Sequence, residues 1–162
     1  MNSSTSANCD LRRLGVDDVE AVIAIDRGHS GRARRHFFEK LFAAAKARPD
    51  DFVCVGIERA GALRGFAIAR ILRGEFGRKN AVAVLNAVGV EAQSREQGIG
   101  HKLMAELIEN LRAMGVGSVQ SLAVWTNHDL LHFFDSSGFM LAPRLALERS
   151  AVKPLEEASE EI

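Results

Sequence analysis

At 162 residues the chain is long enough for one domain with a real core and too short for two ordinary ones. Hydrophobic residues at 47% and charged residues at 26% are the composition of a globular chain, and Lys plus Arg equal Asp plus Glu at 21 each. That balance leaves no net field to draw a nucleic acid or a membrane surface. No apolar run approaches membrane-spanning length, and residues 1–6 have neither the basic nor the apolar region of a signal peptide. Cys9 and Cys54 are too few and too far apart for a disulfide framework or a zinc site. No metal and a cytoplasmic location are therefore expected.

Residues 1–9 are small and polar and read as a tail, 10–148 as the folded domain, and 149–162 as an acidic tail with little to bury. Residues 10–14 suit a short first strand, and Asp17 or Asp18 can open a helix in which Val19, Val22 and Ile23 share a face. Residues 27–35 interrupt that pattern with Gly28, Gly31 and four arginines. Phe37, Phe38, Leu41, Phe42 and Ala45 repeat at helical spacing until Pro49. Residues 52–59 and 63–72 read as a hairpin around Ala60-Gly61, and 81–90 as a third strand with Gly89 where a bulge or splay is tolerated. A clear helix follows, with Ile99, Leu103, Leu107 and Leu111 on one stripe, Met104 and Ile108 widening it, and Gly115 as its cap. Residues 118–125 are another strand, Asn127 is an N-cap for a short helix ending near Gly138, and 139–147 form a last strand. The sum is a mixed α/β single domain.

The junction from Val88 through Arg95-Glu96-Gln97-Gly98-Ile99-Gly100 to Leu103 carries the most chemistry. A strand passes through a polar loop into a helix N-terminus, where two glycines let backbone N–H groups approach a ligand. The helix end adds partial positive charge, which suits a phosphate or pyrophosphate. Gly-x-x-x-x-Gly-Lys-[Ser/Thr] is absent, so this is no Walker loop. It is no Rossmann fingerprint either, because Leu103 fills the third-glycine position and no acid follows at about twenty residues. A kinase glycine loop joins two strands, and here a helix follows. The bland alternative is a tight turn whose glycines serve packing alone.

Arg95-Glu96-Gln97-Gly98-Ile99-Gly100 resembles the Arg/Gln-x-x-Gly-x-Gly/Ala motif of the GNAT superfamily of N-acetyltransferases. A second segment, Asn127-His128-Asp129-Leu130-Leu131-His132-Phe133-Phe134-Asp135-Ser136-Ser137-Gly138-Phe139, is similar to the superfamily's Asn-x-x-Ala-x-x-x-Tyr-x-x-x-Gly-Phe. The resemblance implies a single-domain GNAT-like α/β fold, with a mixed, mostly antiparallel sheet splayed at the cofactor strand and flanked by helices. It implies acetyl-CoA as co-substrate. Its pantetheine arm would pair with the backbone of Val88, Gly89 and Val90, and its pyrophosphate would rest on the amides of Gln97, Gly98, Ile99, Gly100 and His101, with Arg95 leading into the turn. Asn127 matches an asparagine that often contacts the cofactor, a role compatible with N-capping. Lys102 can add charge from the rim or be an ordinary solvated lysine.

The catalytic pattern departs from these relatives. The tyrosine that protonates the leaving thiolate in many of them is Phe134 here, and the chain has no tyrosine. A glutamate that some members carry five residues before the asparagine is Leu122, and Val84 and Asn86 stand where others place a glutamate on the fourth strand. No carboxylate inherits the base role by position. His132, whose unperturbed imidazole titrates near working pH, is one substitute. A hydroxyl from Ser136 or Ser137 is another. The favoured route is direct attack by an already neutral amine. On the acceptor side, Asp26 can hold a cationic amine or simply pair within the fold, His29 or His36 can relay a proton, and Glu75 can act through water. The arginines between Arg27 and Arg35 can attract an acidic group or be a solvated helix start. Expected partners are a small-molecule or peptide amine, with no nucleic acid and no membrane. Trp125 and the last strand's apolar residues can contribute to a homodimer or be core. The competing reading is an acyl-CoA-binding sensor or interaction module that has lost transfer.

Overall fold

Alternate residues of one long strand, β2 (Phe52–Arg59), belong to different cores: Phe52 and Cys54 to one, and Val53, Val55 and Ile57 to the other. A strand buried continuously from Phe52 to Ile57 needs cover on both faces. Before it come β1 (Asp10–Arg13), a 3-10 turn (Val16–Asp18), α1 (Val19–Ser30) and α2 (Arg35–Ala47). After it come β3 (Ala62–Leu72), β4 (Ala81–Val90), α3 (Ile99–Ala113), β5 (Val116–Gln120) and α4 (His128–Ser136). The structure, a computed structural model, describes residues 9–74, 77, 79–95 and 97–152. Most of the two expected tails lies outside them.

The five strands lie in chain order, antiparallel as far as β4 and parallel from β4 to β5, because α3 carries the chain back across one face. On the other face Val22, Ile23 and Ile25 of α1 and Phe38 and Phe42 of α2 pack on Phe66, Ile68 and Ala87. Leu103, Leu107 and Leu111 of α3, with Phe134 of α4, pack on Ala67, Ala69, Ala83 and Leu85. The alanines let α3 sit close to the sheet. Gly65 extends that approach, since a Cβ there would lie 2.8 Å from Leu103 Cδ1 and 3.1 Å from Ile99 Cγ2. The first turns of α3 are thereby set down on the start of β3, beside the end of β4.

The α/β architecture with a mostly antiparallel sheet agrees with the expectation. So does the hairpin, whose Ala60 and Gly61 have φ of 53° and 73°, as a two-residue turn of this hand requires. Three boundaries differ. α1 continues through Arg27 to Ser30 and ends at Gly31, φ 68°, because its exposed positions need no apolar periodicity. β5 ends at Gln120, short of the expected residue 125. Finally, the strand expected over 139–147 is not formed among the described residues. Met140, Leu141, Leu145 and Leu147 are 90%, 98%, 87% and 91% exposed. A run of apolar residues is compatible with a strand, but a strand also needs a partner ladder, and Pro143 removes one of its donors.

Candidate functional site

β4 is paired on both sides only over its first half. Residues 81–84 run beside β5, whereas pairing with β3 continues to Val90. From 85 to 90 the other edge of β4 has no strand partner among the described residues. The β3 ladder also slips by one: Ile68 pairs with Ala87 and Ala69 with Leu85, leaving Asn86 as the extra residue of a bulge. The bulge lies where β4 and β5 part. Val88 and Val90 pack toward the α3 core, and Gly89 lies against Phe66, so the side chains are occupied in packing. What remains for a ligand is the row of peptide groups, which can receive an extended, amide-bearing chain as an added strand.

β4 leads through the 3-10 turn Ala92–Ser94 into α3. Side chains anchor this loop to the β2–β3 hairpin. The Glu91 carboxylate accepts from Arg64 Nη1 at 2.6 Å and Ser94 Oγ at 3.2 Å, and Arg59 Nη1 donates to Gln97 Oε1 at 2.8 Å. Gly98 is the N-cap of α3 with φ 74°, a conformation that favours glycine, and no side chain caps the helix. The first helical bond runs from Lys102 N–H to Gly98 O at 3.1 Å, which leaves the N–H groups of Ile99, Gly100 and His101 directed out of the helix end. A Cβ on Gly98 would meet nothing within 4 Å, so the mouth of this end is open. These donors and the helix dipole make an anion site. Gly100 also admits α4, because a Cβ there would stand 2.9 Å from Phe133 Cε2. The His101 ring turns away to Ser136 Oγ at 3.1 Å, so its amide rather than its imidazole faces the site. Asn127 Oδ1 accepts from Leu130 N–H at 3.2 Å and caps α4, as its sequence position suggests.

The catalytic candidates are scattered. Phe134 is 7% exposed and packed between the Phe133 and Phe139 rings, at centroid distances of 5.8 and 4.8 Å. His132 is exposed on α4, Leu122 is exposed beyond β5, and Glu75 lies outside the described residues. Asp26 is buried and held by Arg34, whose Nη2 and Nε reach its two oxygens at 2.5 and 3.0 Å, with Arg34 also lying over Phe37 and Phe38. An amine would have to compete with that guanidinium. His29, at the end of α1, has its pKa pushed down by burial and by the charge of Arg95, against a smaller opposing pull from Asp26. The first acceptor-side helix therefore lies close enough to the cofactor loop to feel its charge. Ser136 Oγ donates to Phe133 O at 3.0 Å, while Ser137 Oγ and Asn86 Oδ1 are buried without a hydrogen-bond partner. Residue-type reasoning passed over Asn86 because it lacks a carboxylate. Its signal was a lone polar side chain within the apolar run of residues 81–90.

A half-paired strand runs into an uncapped helix N-terminus, which offers backbone groups to a ligand. The acetyltransferase (GNAT) family profile matches residues 20–139, and the chain belongs to that family, the GNAT N-acetyltransferases. Its co-substrate is acetyl-CoA. In fold the chain is similar to an aminoglycoside N-acetyltransferase solved with CoA, at TM-score 0.77 and 16% identity, covering 93% of this chain and 99% of that one. It is also similar to a transcriptional regulator from Bacillus halodurans C-125, at TM-score 0.75 and 18% identity, covering 88% and 99%. Glucosamine-6-phosphate N-acetyltransferase from Arabidopsis thaliana aligns at TM-score 0.66 and 18% identity, covering 89% and 99%. No curated protein matches the sequence. Among the described residues no helix is long and apolar enough to cross a membrane, and no group of three or more His, Cys, Asp or Glu residues is placed to hold a metal ion.

Proposed function

We propose that this chain transfers the acetyl group of acetyl-CoA to a primary amine, on a small molecule or a peptide, by direct attack of the neutral amine. The observation that carries the reading is the free edge of β4 running into the uncapped N-terminus of α3 at Gly98. Acetyl-CoA supplies an activated acyl carbon. The amides of Gln97, Gly98, Ile99, Gly100 and His101, with Arg95, hold its pyrophosphate. The backbone of Val88, Gly89 and Val90 aligns its arm, with Asn127 beside it. Between β4 and β5 the amine loses solvent, which favours its uncharged form. The new amide N–C bond replaces the C–S bond, the amine's proton leaves to water, and water returns a proton to the thiolate. This route needs neither a tyrosine nor a carboxylate. We take residues 10–148 as the working unit and the cytoplasm as its compartment.

The test combines binding and turnover. Calorimetry is expected to show acetyl-CoA binding to the native chain and a loss of more than about tenfold in Gly98→Val, because a side chain there is strained and blocks the amides. Thiol release is then followed with kanamycin, glucosamine 6-phosphate, spermidine and a peptide with N-terminal alanine. Binding without release from any amine would favour the acyl-CoA sensor, a reading kept open by the buried, hydroxyl-free Phe134. We also propose a homodimer that covers Trp125, Leu141 and Leu145, exposed at 81%, 98% and 87%, and light scattering at the mass of a single chain would refute it.

A further inference from the structure

We infer that Arg59, from the β2–β3 hairpin, binds the 3′-phosphate of CoA and makes the chain select CoA over its 3′-dephospho form; this rests on the cofactor placement proposed above. Arg59 is the last residue of β2 and donates from Nη1 to Gln97 Oε1 at 2.8 Å, one residue before the Gly98 N-cap of α3. Gln97 is fixed from its other side, where Nε2 donates to Gln93 O at 3.2 Å. Arg59 is half-buried, and its guanidinium therefore stands beside the helix end that carries the anion site.

The charge at this position is uncompensated. Arg12, Arg34, Arg64 and Arg73 each meet a carboxylate, whereas Arg59 makes no ion pair among the described residues and donates there to a neutral carboxamide. Two acids at the same end of the sheet are already engaged, since Glu58 accepts from Arg12 and Glu91 from Arg64. Its neighbour also has the wrong sign. The N-terminus of α3 carries partial positive charge, so a cation beside it is unfavourable until an anion lies between them. A guanidinium makes paired, charge-assisted bonds to a phosphate that one carboxamide oxygen cannot equal. In the proposed placement the pyrophosphate is held by the α3 amides and by Arg95, whose charge reaches His29 at the end of α1. Arg59 comes from a separate element and addresses a second anionic group. CoA carries one further anion, the 3′-phosphate, joined to the pyrophosphate through a single ribose.

The experiment is calorimetry on the full chain with CoA and with 3′-dephospho-CoA. The native chain is expected to prefer CoA about tenfold, the worth of one charge-assisted contact. Arg59→Gln is expected to lose that factor for CoA and to bind 3′-dephospho-CoA as the native chain does, so the preference disappears. Without ligand its melting temperature should be equal or higher, because a cation leaves the helix N-terminus. Arg59→Lys keeps the charge and should restore part of the preference. Phosphorus resonances give an independent readout. The 3′-phosphate of bound CoA should titrate below its usual pKa of about 6 in the native chain and return toward it in Arg59→Gln. Equal binding of the two compounds by the native chain, or an equal loss of both in Arg59→Gln, would mean that Arg59 only braces the Gln97 loop, and the inference fails while the transferase reading stands. Binding of neither compound by the native chain would overturn the cofactor placement and the inference together.

Discussion

A Cβ placed on Gly89 would stand 2.7 Å from Cε1 of Phe66, the residue directly opposite it on β3. Phe66 is fully buried and meets Phe38 edge-on at 5.7 Å, so it has no room to swing aside. Gly89 is thus required by packing under α1 as well as by the backbone pairing proposed for residues 88–90. Gly89→Ala is expected to cost about 1–3 kcal/mol through overpacking. Because the strain displaces the β4 edge, acetyl-CoA affinity should fall with it. Urea melts check the first effect and calorimetry the second. Adding Phe66→Leu makes space, so the double variant should recover stability; no recovery would mean that the ring is not what Gly89 accommodates.

Asp26 and Arg34 make a part-buried ion pair that joins the end of α1 to the start of α2. The Asp26 side chain is 5% exposed and that of Arg34 45%, so the pair is anchored on the carboxylate side. Arg34→Met leaves a buried charge without its partner. Such losses cost about 3–5 kcal/mol when both groups are inside, and the exposure of Arg34 reduces the expected figure to about 1–3 kcal/mol. Asp26→Asn in the same chain removes the stranded charge and should restore part of that loss. If Arg34→Met instead left stability intact and raised the affinity for an acceptor amine, Asp26 would be an amine-binding residue after all.

The cofactor half of the site was legible in the sequence because it depends on backbone geometry that particular residues announce. Gly98 marks a positive φ, the apolar stripe from Ile99 to Leu111 marks the helix, and Asn127 marks the next cap. The helix pair's ion chemistry was less legible. The sequence offers four arginines between positions 27 and 35 as equals, and only packing shows that Arg34 lies over Phe37 and Phe38 with its guanidinium on Asp26. Asn86 stands out in the sequence as a lone polar side chain in an apolar run, but only the packing shows that its Oδ1 is buried without a partner. The expected final strand went wrong in the opposite sense, since residues 139–147 are mostly apolar but join no ladder among the described residues.

Arg95 and His29 couple the phosphate loop to the end of α1. The Arg95 charge helps to push the His29 pKa down, after burial as the main cause. Arg95→Gln should therefore raise the His29 pKa, and so should CoA binding, because bound phosphates offset the guanidinium. Imidazole proton shifts against pH, with and without CoA, measure both. The stability consequence has a definite sign. The unfolded chain binds more protons than the fold between the depressed native pKa and the ordinary value of about 6.5, so stability falls as pH drops through that window. His29→Gln should flatten this slope. A His29 pKa unmoved by Arg95→Gln would show that the two groups are too far apart to communicate.

Direct attack predicts a pH dependence that belongs to the substrate. If the enzyme requires the neutral amine and supplies no base, kcat/KM should rise about tenfold per pH unit below the amine's pKa and level off above it. A peptide α-amine, with a pKa near 8, and a lysine-like amine, near 10.4, should therefore give limbs separated by about two units. An imidazole base would give the same limb, near 6.5, for both acceptors. His132 is the histidine to exclude, and its exposure on α4 means that His132→Gln should not disturb the fold. The expected outcome is an unchanged profile in that variant with either acceptor. A limb that stays with the enzyme when the amine is changed, and disappears in His132→Gln, would replace direct attack by general-base catalysis from α4.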